Sequence, residues 1–348
     1  KYVASYTLLA ATEDDVDYGL YTFALNQSGT GTPGDPASFS VQNLTFLYND
    51  PATDEYDAQV IAARAKPPVI ASTLNPSVDY GEFIAQDVFN RGLSDGQERP
   101  IRGTDPIDSI AVIVARPTRP GEMNDFSANE YEKRELLGFA PVQSDGSFHI
   151  RVPANTPISF ATMDVNGRGF VVKRTHIAVR NGEVFDKCVG CHEDRHAGGP
   201  TPTNPNPIAA LMPAHDLNIA PAQRQIINYE TTIGPIVAAK CASCHTPTIP
   251  GVDSTAAGQL NLTSAPDTVR MNRIFPKGYV SLSGEMMMGS TRPAVTRPGF
   301  PRQSTLIDYV MGLGSQSGIG QHPSGPNALT AAERRKFNLW VLLGAQYK

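Results

Sequence analysis

The sequence has no stretch near the roughly 18 consecutive apolar residues that a membrane-crossing helix requires. Its longest apolar run centres on Ile110-Ala111-Val112-Ile113-Val114. A transmembrane helix is therefore not expected. Charge is also scarce: 18% of the 348 residues are charged, and 29 basic against 34 acidic side chains leave a net charge of −5. No basic field exists to hold nucleic acid or an anionic membrane surface. A phosphate-cradling glycine-lysine loop, a dinucleotide glycine fingerprint and a Ser-His-Asp order are all missing, and glycine pairs such as Gly29-Thr30-Gly31 lack the context that would give them meaning. Nucleotide and hydrolase chemistry drop out. With 30 glycines and 29 prolines, strands and ordered loops are favoured over long helices.

Cysteine is the most informative scarcity. There are four, and all of them lie in Cys188-Val189-Gly190-Cys191-His192 and Cys241-Ala242-Ser243-Cys244-His245. A zinc ribbon, a redox Cys-x-x-Cys pair or two disulfides would use the thiols but leave both trailing histidines to coincidence. Covalent haem attachment uses all of them: each thiol adds to a vinyl group and the adjacent histidine ligates the iron. Two covalently attached haem c groups are expected, on Cys188 and Cys191 (haem 1) and on Cys241 and Cys244 (haem 2), with His192 and His245 as iron ligands. Haem c is attached outside the cytoplasm, so a periplasmic or extracellular location is expected. The first residue is Lys1, so a removed secretion signal or a preceding N-terminal region is expected as well.

The chain divides into three stretches. Residues 1–79 form an extended, β-rich N-terminal region, the tail of a further domain, with a hairpin pattern over 2–9 and 18–25 around Glu13-Asp14-Asp15 and punctuation at Gly29 to Pro36 and Lys66-Pro67-Pro68. Residues 29–68 are expected to wrap a surface. Residues 80–222 form a β-sandwich domain with haem 1 at its C-terminal end and strands over 83–89, 109–115, 147–152, 158–163 and 170–179. The turn Asp145-Gly146-Ser147-Phe148 and the bend Val152-Pro153-Ala154-Asn155 resemble the prealbumin-like sandwich pattern. Residues 223–348 form a cytochrome c-like domain carrying haem 2. A helix over 226–239 runs into the second motif, and a last helix begins with the capping box Thr330-Ala331-Ala332-Glu333. That helix presents Phe337, Trp340 and Val341 on one face and stops at Gly344. The fold class expected is mixed, β then α: a sandwich-like region followed by a mainly helical, loop-rich cytochrome region.

The stretches DGSFHIRVPANTPISFATMDVNGRGF (145–170), GEVFDKCVGCHEDRH (182–196), GPIVAAKCASCH (234–245) and GIGQHPSGPNALTAAERRKFNLWVLLGA (318–345), taken in this order, resemble the middle and C-terminal haem domains of the hydrazine synthase alpha subunit family. The resemblance runs from about residue 57 to the end. In that family a β-propeller precedes these domains, and nothing in this sequence has a propeller's length or repeats.

The resemblance places His322, in Gln321-His322-Pro323, as the second iron ligand of haem 2. Met286-Met287-Met288 is the rival, since simple cytochromes c carry a methionine ahead of their last helix. For haem 1, His149, His176, His196 and His215 are available. His196 lies four residues after His192, so it shares that side of the iron and does not reach the opposite one. His176, in the segment leading into the motif, is the chosen far-side ligand and His149 the second choice. The resemblance adds that the family carries an iron-ligating tyrosine at the position of His196 and diverts the motif histidine to zinc, which makes His196 a candidate iron ligand and the His192/His196 pair a candidate site for a further metal ion.

Three functions follow. The first is a di-haem electron-transfer cytochrome serving redox partner proteins within a multi-subunit or multi-haem assembly. The second is a hydrazine synthase-like or other haem oxidoreductase with haem 1 open to a small nitrogen or oxygen substrate and Glu193 and Asp194 moving protons. The third is a structural or filament subunit whose histidines ligate haem across a boundary.

Overall fold

The computed structural model describes residues 2–6, 18–27, 39–50, 52, 53, 55–61, 63, 66, 72, 74–90, 100–116, 133–170, 176–190, 203–269, 273–283, 295–313, 320 and 322–348. They belong to two compact units, Lys1–Ala71 and Ser72–Lys348.

The first unit is an antiparallel sheet of β1 (Tyr2–Tyr6), β2 (Gly19–Gln27) and β3 (Phe39–Tyr48) in that order. Aromatic and β-branched residues favour strands, and the expected hairpin forms, with Tyr2 opposite Phe23 and their rings stacked 5.6 Å apart. The third strand corrects the expectation of a surface wrap over this stretch. Val41, Thr45 and Phe46 hold its register on β2 despite the turn-favouring Gln42-Asn43, where the pairing shifts and Asn43 takes φ 54°. The bulge absorbs the residue that breaks the alternation.

In the second unit, β4 (Tyr80–Ala85), β7 (Phe148–Pro153), β9 (Val184–Cys188) and β10 (His215–Asp216) form one sheet in the order β10-β7-β4-β9. Strands β5 (Ile107–Arg116), β6 (Lys133–Pro141) and β8 (Ile158–Asp164) form another in the order β6-β5-β8. The two sheets enclose a core of Phe83, Ala85, Phe148, Ile150 and Val152 against Ile110, Val112, Val114, Leu137 and Ile158. The alternate residues of the middle sheet, Ala111, Ile113, Leu136, Ala161 and Met163, enter a second core with Tyr229, Ile233, Tyr279, Phe337, Trp340 and Leu342. Strand β5 is thus buried on both faces, which is why its run at 110–114 is continuously apolar instead of alternating.

The mainly helical region expected over 223–348 is not what forms, and the chain is a multi-sheet protein with few helices. Among the described residues of this stretch there are α1 (Gly234–Lys240), α2 (Lys277–Ser283), α3 (Thr305–Met311) and α4 (Ala331–Leu342), of which only α4 exceeds 7 residues. The hairpin of β11 (Pro266–Val269) and β12 (Arg273–Pro276), short 3₁₀ turns and irregular chain fill the space between them. Pro247, Pro250, Pro266, Pro276, Pro298 and Pro301 interrupt helical propagation here, since proline removes a donor and clashes with the preceding turn. The helix expected over 226–239 is shortened in the same way. Pro235 occupies its first turn and a wide turn at Tyr229–Ile233 precedes it.

Two further differences concern single strands. The expected strand over 170–179 is reduced to a bridge between Ile158 and Ile177, with 171–175 outside the described residues. Strand β6 was not anticipated, because Lys133-Arg134-Glu135 reads as a solvated start, yet Arg134 and Glu135 are buried. Gln346, near the end of the chain, bonds both the backbone N–H and the carbonyl of Arg134, and Arg224 pairs with Glu135 at 3.4 Å. No helix among the described residues is long and apolar enough to cross a membrane.

Candidate functional site

Helix α1 ends at Lys240 and the second motif continues from it in tight turns. Cys241 donates its backbone N–H to Val237, and the N–H groups of Cys244 and His245 both bond the Cys241 carbonyl, at 3.2 and 3.0 Å. These turns bring the two thiols and the imidazole within one revolution of chain. Cys241 packs against the C-terminal core and burial pushes its thiol up to about 11, whereas Cys244 is exposed, and both are free thiols.

His245 is half-buried. Burial lowers its pKa, with the backbone at Ala257 and Leu260 opposing the fall. Its Nδ1 is buried and meets no hydrogen-bonding partner among the described residues. Its Nε2 points at the Nε2 of His322, 3.5 Å away, with the rings edge to face at 83°. His322 is carried by the loop after α3, where its backbone N–H bonds the Tyr309 carbonyl at 2.9 Å and its ring lies 6.4 Å from the Tyr309 ring. The chain therefore brings together the motif histidine and the second histidine singled out from the sequence. Met286, Met287 and Met288 lie outside the described residues.

The far end of the His322 loop is also held. Lys240 donates from Nζ to the Ala328 carbonyl at 2.8 Å and to Glu333 Oε2 at 2.9 Å. Glu333 closes the capping box of α4 by accepting from the Thr330 N–H at 2.7 Å, while Thr330 Oγ1 accepts from the Glu333 N–H at 3.2 Å. The Lys240 hydrogen bond, with those from Thr330, holds the Glu333 carboxyl down at about 2. Neither Tyr309 nor Lys240 is singled out by the sequence, because a tyrosine inside a short helix and a lysine in a last helical turn are ordinary choices.

These residues fit a haem c. Two imidazole nitrogens bonded to one metal ion, each about 2 Å from it, lie about 3.3–4 Å apart depending on the angle at the metal, and the observed 3.5 Å falls within that span. A motif histidine also needs a second ring nitrogen free to donate to the protein, and the backbone at Ala257 and Leu260 lies near the His245 ring, although its buried Nδ1 makes no bond of good geometry there.

The first motif begins where β9 ends at Cys188, on the edge of the outer sheet and partly buried against the sandwich core. Gln86 donates its backbone N–H to the Cys188 carbonyl at 2.8 Å, and Asn90 donates its side-chain amide to the Val189 carbonyl at 3.1 Å. Gly190 packs so closely on Asn90 that an added Cβ would lie 2.8 Å from the Asn90 Cβ and run into its backbone oxygen. Cys191, His192, Glu193, Asp194 and His196 lie outside the described residues. His176 is exposed, one residue before the bridge at Ile177. Both nitrogens of His149 are engaged, Nε2 with Glu82 at 3.1 Å and Nδ1 with the Met212 carbonyl at 3.0 Å, which suits a structural role. His215 lies on β10, opposite Ile150 of β7. Among the described residues no cluster of three or more histidine, cysteine or acidic side chains could hold a metal ion.

Residues 88–193, from just after β4 through Cys188, Cys191 and His192, match the family model of the hydrazine synthase alpha subunit middle domain. No curated protein matches the sequence. Among solved structures, Kuenenia stuttgartiensis hydrazine synthase superposes with a TM-score of 0.60 at 18% identity, over 95% of this chain and 52% of that one. The chain thus shares that fold and spans about half the length of the solved chain. Residues 88–193 thus carry the sequence pattern of the hydrazine synthase alpha subunit middle domain, and the chain as a whole shares its fold with the solved synthase.

Proposed function

We propose that this chain is the haem-bearing, alpha-type component of a hydrazine synthase-like oxidoreductase that works in the periplasm or outside the cell. The family match ends just after the first motif. It favours this reading over a free electron carrier and over a filament subunit. Cys188 and Cys191 would hold one covalent haem c, and Cys241 and Cys244 the other. Haem c supplies an iron that exchanges single electrons or, where one face is open, binds a small ligand.

The observation that carries the proposal is the convergence of the His245 and His322 Nε2 atoms at 3.5 Å. His245 and His322 would together hold the iron of the second haem and leave no place on it for an exogenous ligand, so this second site would serve as an electron relay. Substrate chemistry then belongs to the first site, where Glu193 and Asp194 would move protons. Electrons would pass to redox partner proteins of a larger assembly.

Ferric and ferrous absorption spectra of the purified protein, with and without carbon monoxide, test this. The expected result is two haems per chain, one binding carbon monoxide and one inert. Two inert haems would overturn the oxidoreductase reading and leave a carrier.

A further inference from the structure

We infer that Lys240 is a positioning residue for the second iron site, clasping the loop that carries His322 to the helix that carries Cys241 and so fixing the separation of the two imidazoles. The inference rests on the haem reading above. His245 is referenced to α1 through the Cys241 carbonyl. Among the described residues, no hydrogen bond links His322 to α1. Its loop leaves α3 with the His322 N–H on the Tyr309 carbonyl and returns to α4 through Ala328 and Leu329.

Lys240 spans the two arms. It is the last residue of α1, next to Cys241, and its ammonium group reaches the Ala328 carbonyl at 2.8 Å and Glu333 at 2.9 Å. The same Glu333 oxygen accepts from the backbone and hydroxyl of Thr330, at 2.7 and 2.9 Å. One ammonium therefore gathers the end of the attachment helix, the end of the ligand loop and the start of the last helix. On the opposite side of the loop, Leu329 is buried in the core that also takes in Ile236 and Val237 of α1, and Arg334 bonds its carbonyl at 2.8 Å, so Lys240 supplies the polar link between α1 and the loop beside this apolar one.

A clasp differs from a stabilising ion pair in what it changes. The side chains of Lys240 and Glu333 are 22% and 21% exposed, and partly exposed pairs contribute little to folding because water screens them and two long side chains must be ordered. A ligand nitrogen held within a few tenths of an ångström of its bonding position is much more sensitive to its loop's placement.

The test is Lys240→Met in the haem-loaded protein, with Lys240→Arg as rescue and His322→Ala as reference. In Lys240→Met the ferric second haem should acquire a high-spin fraction, and carbon monoxide bound per chain should rise from one toward two. Opening of the His322 bond should become about tenfold easier, as befits loss of one charge-assisted hydrogen bond. Lys240→Arg should restore the native spectrum, and the thermal midpoint should be nearly unchanged in both. A native spectrum in Lys240→Met, alongside a high-spin His322→Ala, would overturn the clasp while leaving the ligand assignment standing. If His322→Ala is itself low-spin, the assignment has failed and the clasp with it. Should Lys240→Met not fold, Glu333→Gln keeps the capping oxygen while removing the charge partner. It should show the same high-spin fraction to a smaller degree, and a native spectrum there would overturn the clasp.

Discussion

His245 and His322, 77 residues apart in the chain, face each other through their Nε2 atoms at 3.5 Å across no intervening side chain. Burial, with the neighbouring His322 adding to it, lowers the pKa of His245. His322→Ala should convert the second haem from low-spin to high-spin ferric and add one carbon monoxide site per chain. A spectrum that stays low-spin, changing only when Met286, Met287 or Met288 is replaced, would assign the ligand to a methionine.

At the first motif the constraint is backbone space. Gly190 lies against the backbone oxygen and Cβ of Asn90, whose amide also holds the Val189 carbonyl. Gly190→Ala should push the motif off the sheet edge and lower haem content from two toward one per chain. The matched change Ala242→Gly in the second motif should leave it at two. Haem counted per chain in denatured protein, together with intact mass, distinguishes these results.

Because β5 sends Ile110 into the sandwich core and Ile113 into the C-terminal core, the two cores share a wall. Ile110→Ala should cost about 2–5 kcal/mol, the usual range for emptying such a site. It should also shift the urea midpoint followed by fluorescence of Trp340, the sole tryptophan, which is fully buried in the other core. A Trp340 transition that ignores Ile110→Ala would mean that the cores unfold separately.

How much of this could be read from residues alone depended on where each residue finds its partner. Phe148, Ile150 and Val152 alternate and are a strand in any context, and Thr330 with Glu333 caps its helix through bonds three residues long. The start of β6 could not be read, because Arg134 is satisfied by Gln346 across 212 positions of chain. The helical expectation after residue 223 fails because a cytochrome-like motif does not bring a helical surround with it, and the prolines there hold α1, α2 and α3 to about two turns each. A strand over 109–115 is legible in its apolar run, but its burial on both faces is not, because what covers the second face is spread from Tyr229 to Leu342. The His245–His322 pair was accessible through family resemblance. The residues that place it, Tyr309 and Lys240, carry no pattern of their own.

The last prediction concerns acid. Glu333 is held at about 2 against an ordinary value of 4.5, chiefly by the Lys240 hydrogen bond, with the Thr330 N–H and hydroxyl adding to it. Between those two values the unfolded chain binds a proton at this position that the folded chain does not. Stability therefore rises with pH across that window. The contribution of Glu333 is fully present above about pH 4.5 and is lost as pH falls through about 2. Its carboxylate is only partly shielded, so the effect should be small in absolute terms and should shrink further in high salt. Glu333→Gln retains an oxygen for the Thr330 N–H but cannot titrate. Its urea midpoint should fall below that of the native chain at pH 6, and the two should converge as pH approaches 2. Because Lys240 loses its charged partner in the variant, the second haem should show at pH 6 part of the high-spin fraction expected for Lys240→Met. Parallel urea curves with a constant gap from pH 6 to pH 2 would show that Glu333 acts as a neutral cap, with its charge contributing nothing.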